Sequence, residues 1–336
     1  MLSYEIKTLP LKHHWTISRS TSTEKHNVFV RLERDGIVGI GEAAPNSRYD
    51  ETAESCTKMI EAARPLLEKA DWWNYRDLVL SIRQLPSGQN AAKAAIDIAL
   101  MDWVCKSLNT TLYRFWGLDK TKAPLTTYSI GIDTPEIMAK WVQEASEFKV
   151  LKIKLGTDND EAIIEAIRGV TDRPLRVDAN EAWKTVDECV AKINWLEGQG
   201  IEFVEQPMPS HMLTEMAAVR KRINIPVVAD ESVKSTTDIP LLADAFDGIN
   251  IKVMKSGGLQ EAKRMIELAK LYDMKIMLGC MVESSVAISA AAALSPLADW
   301  ADLDGNLLLA DDPFSGVTVE EGRLVLNDEP GIGLRQ

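Results

Sequence analysis

The chain has 336 residues, 46% hydrophobic and 26% charged, with a formal net charge of −12. Such a length implies two domains or one large α/β barrel with additions, rather than one small core. An acidic balance without a Lys/Arg cluster excludes a phosphate-binding nucleic-acid surface, and no run of about 18 apolar residues offers a membrane span. The first residues lack the basic start and apolar core of a signal peptide, so a cytoplasmic location is expected. Cys56, Cys105, Cys189 and Cys280 are widely spaced and form no C-x-x-C, which argues against a zinc site or a disulfide framework.

Residues 4–9 read as a strand, 18–25 as a polar stretch, and 27–34 as a strand answered by 38–42 across Asp35-Gly36, a hairpin signal. Between 51 and 69, Cys56, Met59, Ile60, Ala63, Leu66 and Leu67 follow the spacing of an amphipathic helix. A second, alanine-rich helix is expected over about 90–108. Residues 1–118 thus form an α+β domain. From about 125 short apolar strands alternate with helices, with strands near 126–132, 150–155, 174–179, 201–206, 226–231, 248–254, 274–280 and 298–304. Their polar ends, at 154, 178, 205, 230, 255, 280 and 304, recur every 24 to 27 residues. Eight strands at that spacing close into a barrel over 119–305 and bring these ends to one rim. Residues 317–326 read as a hairpin around Glu321-Gly322, and the tail from 306 to 336 is expected to return to the first domain.

The chemistry concentrates at those strand ends. In the segment 150–156, Val-Leu-Lys-Ile-Lys-Leu-Gly, Lys152 and Lys154 alternate and so share one face of a strand. The outer face of a barrel strand packs on helices, so both ammonium groups are expected in the barrel mouth. Asp178, Glu205 and Asp230 end the next three strands. Three converging carboxylates repel one another unless a cation binds, and an oxygen-only set without histidine or thiolate suits Mg²⁺ or Mn²⁺ rather than zinc. Lys154 on the second strand and Lys255 after the sixth would face each other across the mouth, able to remove a proton from one side of a carbon and return it on the other. A solvated lysine is neutral about once in 2,500 molecules at pH 7, so such a base needs the electrostatic push of Lys152 and the metal. The histidines at 13, 14, 26 and 211 form no ligand spacing and are expected to be non-catalytic.

Lys-x-Lys on the second strand, acids on the next three and Lys-x-Gly-Gly after the sixth resemble the enolase superfamily, muconate-lactonising subgroup. The resemblance spans nearly the whole chain, including the helix segment 99–106, Ala-Leu-Met-Asp-Trp-Val-Cys-Lys. It implies a modified (β/α)7β TIM barrel with an N-terminal α+β capping domain completed by the C-terminal tail. It also implies a lysine base and Mg²⁺ stabilisation of an enediolate, a mechanism that belongs to the superfamily as a whole. Asn109, where many relatives have glycine, and Phe115-Trp116, in place of a common Leu-Leu, depart from the pattern.

Asp302-Leu303-Asp304 on the last strand resembles the dipeptide epimerases, whose paired carboxylates hold a substrate ammonium. By the same resemblance, Arg19 would meet a side-chain carboxylate on the substrate's second residue through a charge-assisted fork. Ser129, Cys280 and Val282 would line the peptide pocket, and Asn180 and Glu231 would orient ligands or lysines. The implied activity is Mg²⁺-dependent epimerisation of a small dipeptide, L-Ala-D-Glu to L-Ala-L-Glu, as in cell-wall peptide breakdown. N-succinylamino acid racemase and o-succinylbenzoate synthase share the lysines and acids, but their substrates lack the free ammonium. A silent peptide- or metal-binding barrel would have no use for two bases. The oligomeric state stays open, a homo-oligomer included.

Overall fold

The computed structural model describes residues 1–335. An antiparallel sheet of β1 (Leu2–Ile17), β2 (Ser20–Arg34) and β3 (Ile37–Ala43) opens the chain. The polar stretch 18–25 is mostly strand. β1 and β2 pair from Leu2↔Leu32 out to Ile17↔Ser20, and only Ser18 and Arg19 turn. In a two-stranded ribbon wet on much of both faces, polar and β-branched Ser and Thr satisfy the ladder as well as apolar residues do.

The helices Ala53–Lys69 and Asn90–Ser107 fall where periodicity places them, with an additional helix, Tyr75–Arg83, between them. Helix Asn90–Ser107 is buried from Ala91 to Cys105 because sheet and barrel enclose it on opposite sides. A Cβ at Gly41 would stand 1.9 Å from the Ala95 carbonyl oxygen, and one at Gly39 2.0 Å from that of Ala99, so this close packing requires glycine. Asn109 ends the helix at φ 48°, a left-handed conformation that asparagine tolerates in place of glycine.

The second sheet is an eight-stranded parallel array of β4 (Tyr128–Ile130), β5 (Leu151–Lys154), β6 (Leu175–Asp178), β7 (Ile201–Glu205), β8 (Val227–Ala229), β9 (Gly248–Lys252), β10 (Lys275–Gly279) and β11 (Trp300–Asp302). It closes where Thr126 bridges Ala301 and the Thr127 N–H donates to the Ala301 carbonyl at 3.1 Å. The hairpin of β12 (Thr318–Glu320) and β13 (Arg323–Val325) follows. The tail then reaches the first sheet's helix: buried Asp102 accepts from the Ile332 N–H at 2.9 Å and from the Ile40 N–H at 2.8 Å. Asp97 on the same helix accepts from the Gln260 N–H at 2.9 Å, tying it to the barrel. Cys56, Cys105 and Cys189 are buried free thiols whose pKa burial pushes up to about 12. Among the described residues no helix is long and apolar enough to cross a membrane.

Candidate active site

Parallel register sets the site. Lys154 lies beside Asp178, and Asp178 beside Glu205, on three adjacent strands, so all three side chains enter the barrel at one level. Asp230, one residue beyond β8, joins them. One carboxylate oxygen from each of Asp178, Glu205 and Asp230 lies within 4.8 Å of the others, and all three residues are buried. A buried set of carboxylate oxygens this close together, without nitrogen or sulfur donors, has the chemistry that would hold Mg²⁺.

Lysines surround the acids. Lys152 Nζ lies 2.7 Å from Glu205 Oε2, 2.8 Å from Asp302 Oδ2 and 3.3 Å from Asp178 Oδ2. Its contact with Glu205 Oε2 lacks the alignment of a hydrogen bond, leaving that buried oxygen unsatisfied. Lys154 Nζ donates to Asp178 Oδ2 at 2.5 Å, and Lys252 Nζ to Asp230 Oδ2 at 2.9 Å.

The pKa directions follow from these contacts. Burial alone would raise the pKa of Asp178, but Lys154 and Lys152 prevail and bring it down to about 2. Burial and the Asp178 charge lift Glu205 to about 7 despite Lys152. Glu205 is therefore the least compensated of the three acids. Burial also works against the Lys252 ammonium, yet Asp230 and Glu205 outweigh it and raise its pKa.

Lys255 is not where the spacing of polar ends puts it. β9 stops at Lys252, and Val253–Ser256 form a short helix closed by left-handed Gly257 at φ 76°. From that helix Lys255 Nζ reaches back to the Asp230 carboxylate, the Asp230 carbonyl at 2.5 Å and the Asn250 carbonyl at 3.1 Å. Lys252, together with Lys152 and Lys154, borders a 480 Å³ cavity over the acids; Lys255 does not. The residue missed at the sequence level was thus the lysine three positions earlier, hidden because Val253 and Met254 extend the strand-like pattern past the true strand end.

The remaining expected residues gather at the same cavity. Arg19, Ser129, Asn180, Glu231, Cys280, Val282, Asp302 and Asp304 all line it. Asp302 and Asp304 differ in environment. Asp302 is occupied by Lys152, the Thr127 hydroxyl and the Ser129 hydroxyl at 3.1 Å. Asp304 accepts the Ser129 N–H on Oδ2 at 2.6 Å, and its Oδ1 has only the Cys280 thiol, 3.9 Å away. Burial and the Asp302 charge lift Asp304 to about 7. Arg19 is already engaged, donating to Glu181 Oε2 at 2.8 Å, Glu231 Oε1 at 2.7 Å and the Asn180 carbonyl at 3.0 Å. The Asn180 N–H donates to Asp178 Oδ1 at 3.0 Å, and its amide to Glu231 Oε1 at 3.3 Å. Asn250 and Gln206, also unforeseen, steady Glu205 Oε1 at 2.8 Å and the Asp230 N–H at 2.9 Å. His13 and His14 border a separate 190 Å³ recess against Trp141 and add nothing to the acid cluster.

Comparison with known proteins agrees with this geometry. Residues 136–335 match the family model "Enolase C-terminal domain-like", and residues 5–117 match "Mandelate racemase / muconate lactonizing enzyme, N-terminal domain". An L-Ala-D/L-Glu epimerase of Bacteroides thetaiotaomicron is 45% identical over 332 residues, covering 98% of this chain and 86% of that protein. The substrate-liganded L-Ala-D/L-Glu epimerase of Bacillus subtilis superposes with a TM-score of 0.94 at 30% identity, covering 99% of this chain and 98% of that one. A dipeptide epimerase of Enterococcus faecalis, complexed with Mg and L-Leu-L-Tyr, gives 0.94 at 32% identity, covering 100% and 99%. With barrel, cap, acid cluster and flanking lysines all in place, the chain belongs to the enolase superfamily and, within it, to the dipeptide epimerases, which are isomerases.

Proposed function

We propose that this protein is a Mg²⁺-dependent epimerase that inverts the α-carbon of a dipeptide's second residue by two-base 1,1-proton transfer, with L-Ala-D-Glu and L-Ala-L-Glu as its preferred pair. The observation that carries this reading is the acid cluster flanked by Lys154 on β5 and Lys252 on β9. Those strands are four apart in a ring of eight, so the two ammonium groups approach from opposite sides. Asp178, Glu205 and Asp230 would hold Mg²⁺, and Mn²⁺ suits the same oxygens. When bound, the ion supplies positive charge to the substrate carboxylate that takes up electron density as the α-proton leaves.

Lys154 and Lys252 then exchange that proton, one as amine on one face and the other as ammonium on the opposite face. This assigns to Lys252 the role that strand-end spacing gives to Lys255. Lys152 is buried among Asp178, Glu205 and Asp302, where it keeps the carboxylates apart and adds positive charge. Asp304, with one carboxylate oxygen on the cavity that only the Cys280 thiol approaches, receives the α-ammonium, while Asp302 is committed to holding Lys152. An N-acylated amino acid would leave Asp304 without its cation. Four free cysteines and an acidic surface support a reducing, cytoplasmic setting.

Deuterium incorporation at the α-carbon in D₂O tests the reading, with Mg²⁺ and a panel of L-Ala-L-Glu, L-Ala-L-Leu and L-Ala-L-Lys, followed by mass spectrometry. Exchange that stops on chelation and returns with Mg²⁺ is expected. Absence of exchange with every dipeptide, together with exchange on N-succinylamino acids, would refute it.

A further inference from the structure

The lysine and arginine side chains lining the 480 Å³ cavity are Arg19, Lys25, Arg48, Lys152, Lys154 and Lys252. Five of them have a carboxylate partner. Arg19 holds Glu231 and Glu181, Arg48 holds Glu181, Lys152 and Lys154 hold Asp178, and Lys252 holds Asp230. Among the described residues, Lys25 alone of the six has no carboxylate within 4.0 Å and makes no side-chain hydrogen bond.

The position of Lys25 is fixed by its strand. It pairs with Leu9 across the β1–β2 ribbon and, by alternation, shares a face with Asn27. Asn27 points to the barrel, its amide donating to the Val282 carbonyl at 3.2 Å. The ribbon is held over the barrel mouth by the Ile132 N–H on the Thr16 carbonyl at 2.8 Å and by Arg19 on the Asn180 carbonyl at 3.0 Å. Lys25 is half-buried, and burial depresses its pKa. A partly desolvated, unpartnered ammonium is costly, and an anionic group placed against it removes the cost.

On the reading proposed above, the substrate's α-carboxylate goes to the acid cluster through the metal and its α-ammonium to Asp304. The second residue's side chain is then the remaining part of the dipeptide able to present an anion. We infer that Lys25, and not Arg19, binds a carboxylate on that side chain, so that dipeptides with Glu or Asp in second position are the substrate class this cavity selects. Arg19 serves instead to pin the ribbon turn to Asn180, Glu181 and Glu231. This inference rests on the epimerase reading.

The test compares kcat/KM for α-proton exchange of L-Ala-L-Glu, its neutral isostere L-Ala-L-Gln, and L-Ala-L-Lys, in wild type, Lys25→Met, Lys25→Glu and Arg19→Met. Lys25→Met should lower the Glu-to-Gln ratio by about 10- to 100-fold, mainly through KM, the scale of one charge-assisted bond. Lys25→Glu should turn the preference towards L-Ala-L-Lys, and Arg19→Met should leave the Glu-to-Gln ratio standing. A merely structural role for Lys25 would depress all three peptides alike. An unaltered ratio in Lys25→Met, or its collapse in Arg19→Met, overturns the assignment while the epimerase reading survives. Failure of the wild-type protein to exchange any dipeptide overturns both.

Discussion

Replacing Lys252 and Lys255 separately by alanine distinguishes a lysine that works on substrate from one that supports the site. Lys252 borders the cavity, and its loss leaves Asp230 still paired with Lys255. Lys252→Ala should therefore remain folded while epimerisation falls by about 10²- to 10⁴-fold, the contribution of one positioned acid or base, or about 2.7 to 5.4 kcal/mol in the barrier. Because Lys154 remains, one epimer should still exchange its α-proton for deuterium without being inverted. Lys255 has the opposite profile. It is closed off from the cavity and donates to the Asp230 carboxylate and to two backbone carbonyls. Lys255→Ala leaves Asp230 paired with Lys252 at 2.9 Å but strips buried hydrogen bonds from the carboxylate and from two backbone carbonyls, which costs about 1 to 3 kcal/mol. Urea unfolding should register that loss, while the enzyme that stays folded still interconverts the epimers. The assay follows L-Ala-L-Glu and L-Ala-D-Glu separately in D₂O, scoring deuterium by mass and configuration by chiral chromatography. A folded Lys255→Ala protein without turnover, alongside a Lys252→Ala protein that inverts its substrate, would refute the assignment.

Asp304→Asn should weaken dipeptides much more than N-succinylamino acids, whereas Asp302→Asn should depress both, since it removes a partner of Lys152; equal losses in Asp304→Asn would end its role as ammonium site. The buried Glu283 carboxyl, raised to about 8 by burial and by the charge of Glu42, makes a prediction about stability. Its folded pKa lies above the unfolded value of about 4.3, so the folded state keeps a proton that the unfolded chain releases. Glu283 therefore contributes stability below about pH 4.3, which is lost as pH rises towards 8, with a slope of at most about 1.4 kcal/mol per pH unit. Glu205 and Asp304, both lifted to about 7, add slopes of the same sign in either protein, so denaturant unfolding across pH 5 to 8 should be steeper in wild type than in Glu283→Gln by the Glu283 contribution; parallel curves would contradict it.

Much of this was legible in the chain itself. Alternation of apolar strand and helix from about 125 onward determined the barrel, because each βα unit must bury one face of a strand and one of a helix. The acids were legible because Asp178, Glu205 and Asp230 interrupt apolar strands at their C-terminal ends, where solvation alone rarely requires three in succession. Lys152 and Lys154 declared a shared face through alternation. Local pattern, however, carries no information about where a strand stops when the residues beyond it are also apolar. Val253 and Met254 continue the strand composition into a helical turn, so only the fold decided that Lys252 reaches the cavity and Lys255 supports Asp230 from behind.

The same limit applies to partners across the chain. That Asp302 is consumed by Lys152, 150 residues away, while Asp304 keeps an oxygen for the cavity, depends on side chains meeting across the barrel. That Arg19 is neutralised by Glu181 and Glu231 while Lys25 is not depends on how the first ribbon lies over the rim. A sequence states which charges exist and at what periodicity. Their pairing is set by long-range packing, which here leaves Lys25 unpaired at the cavity, the charge proposed above to select the substrate.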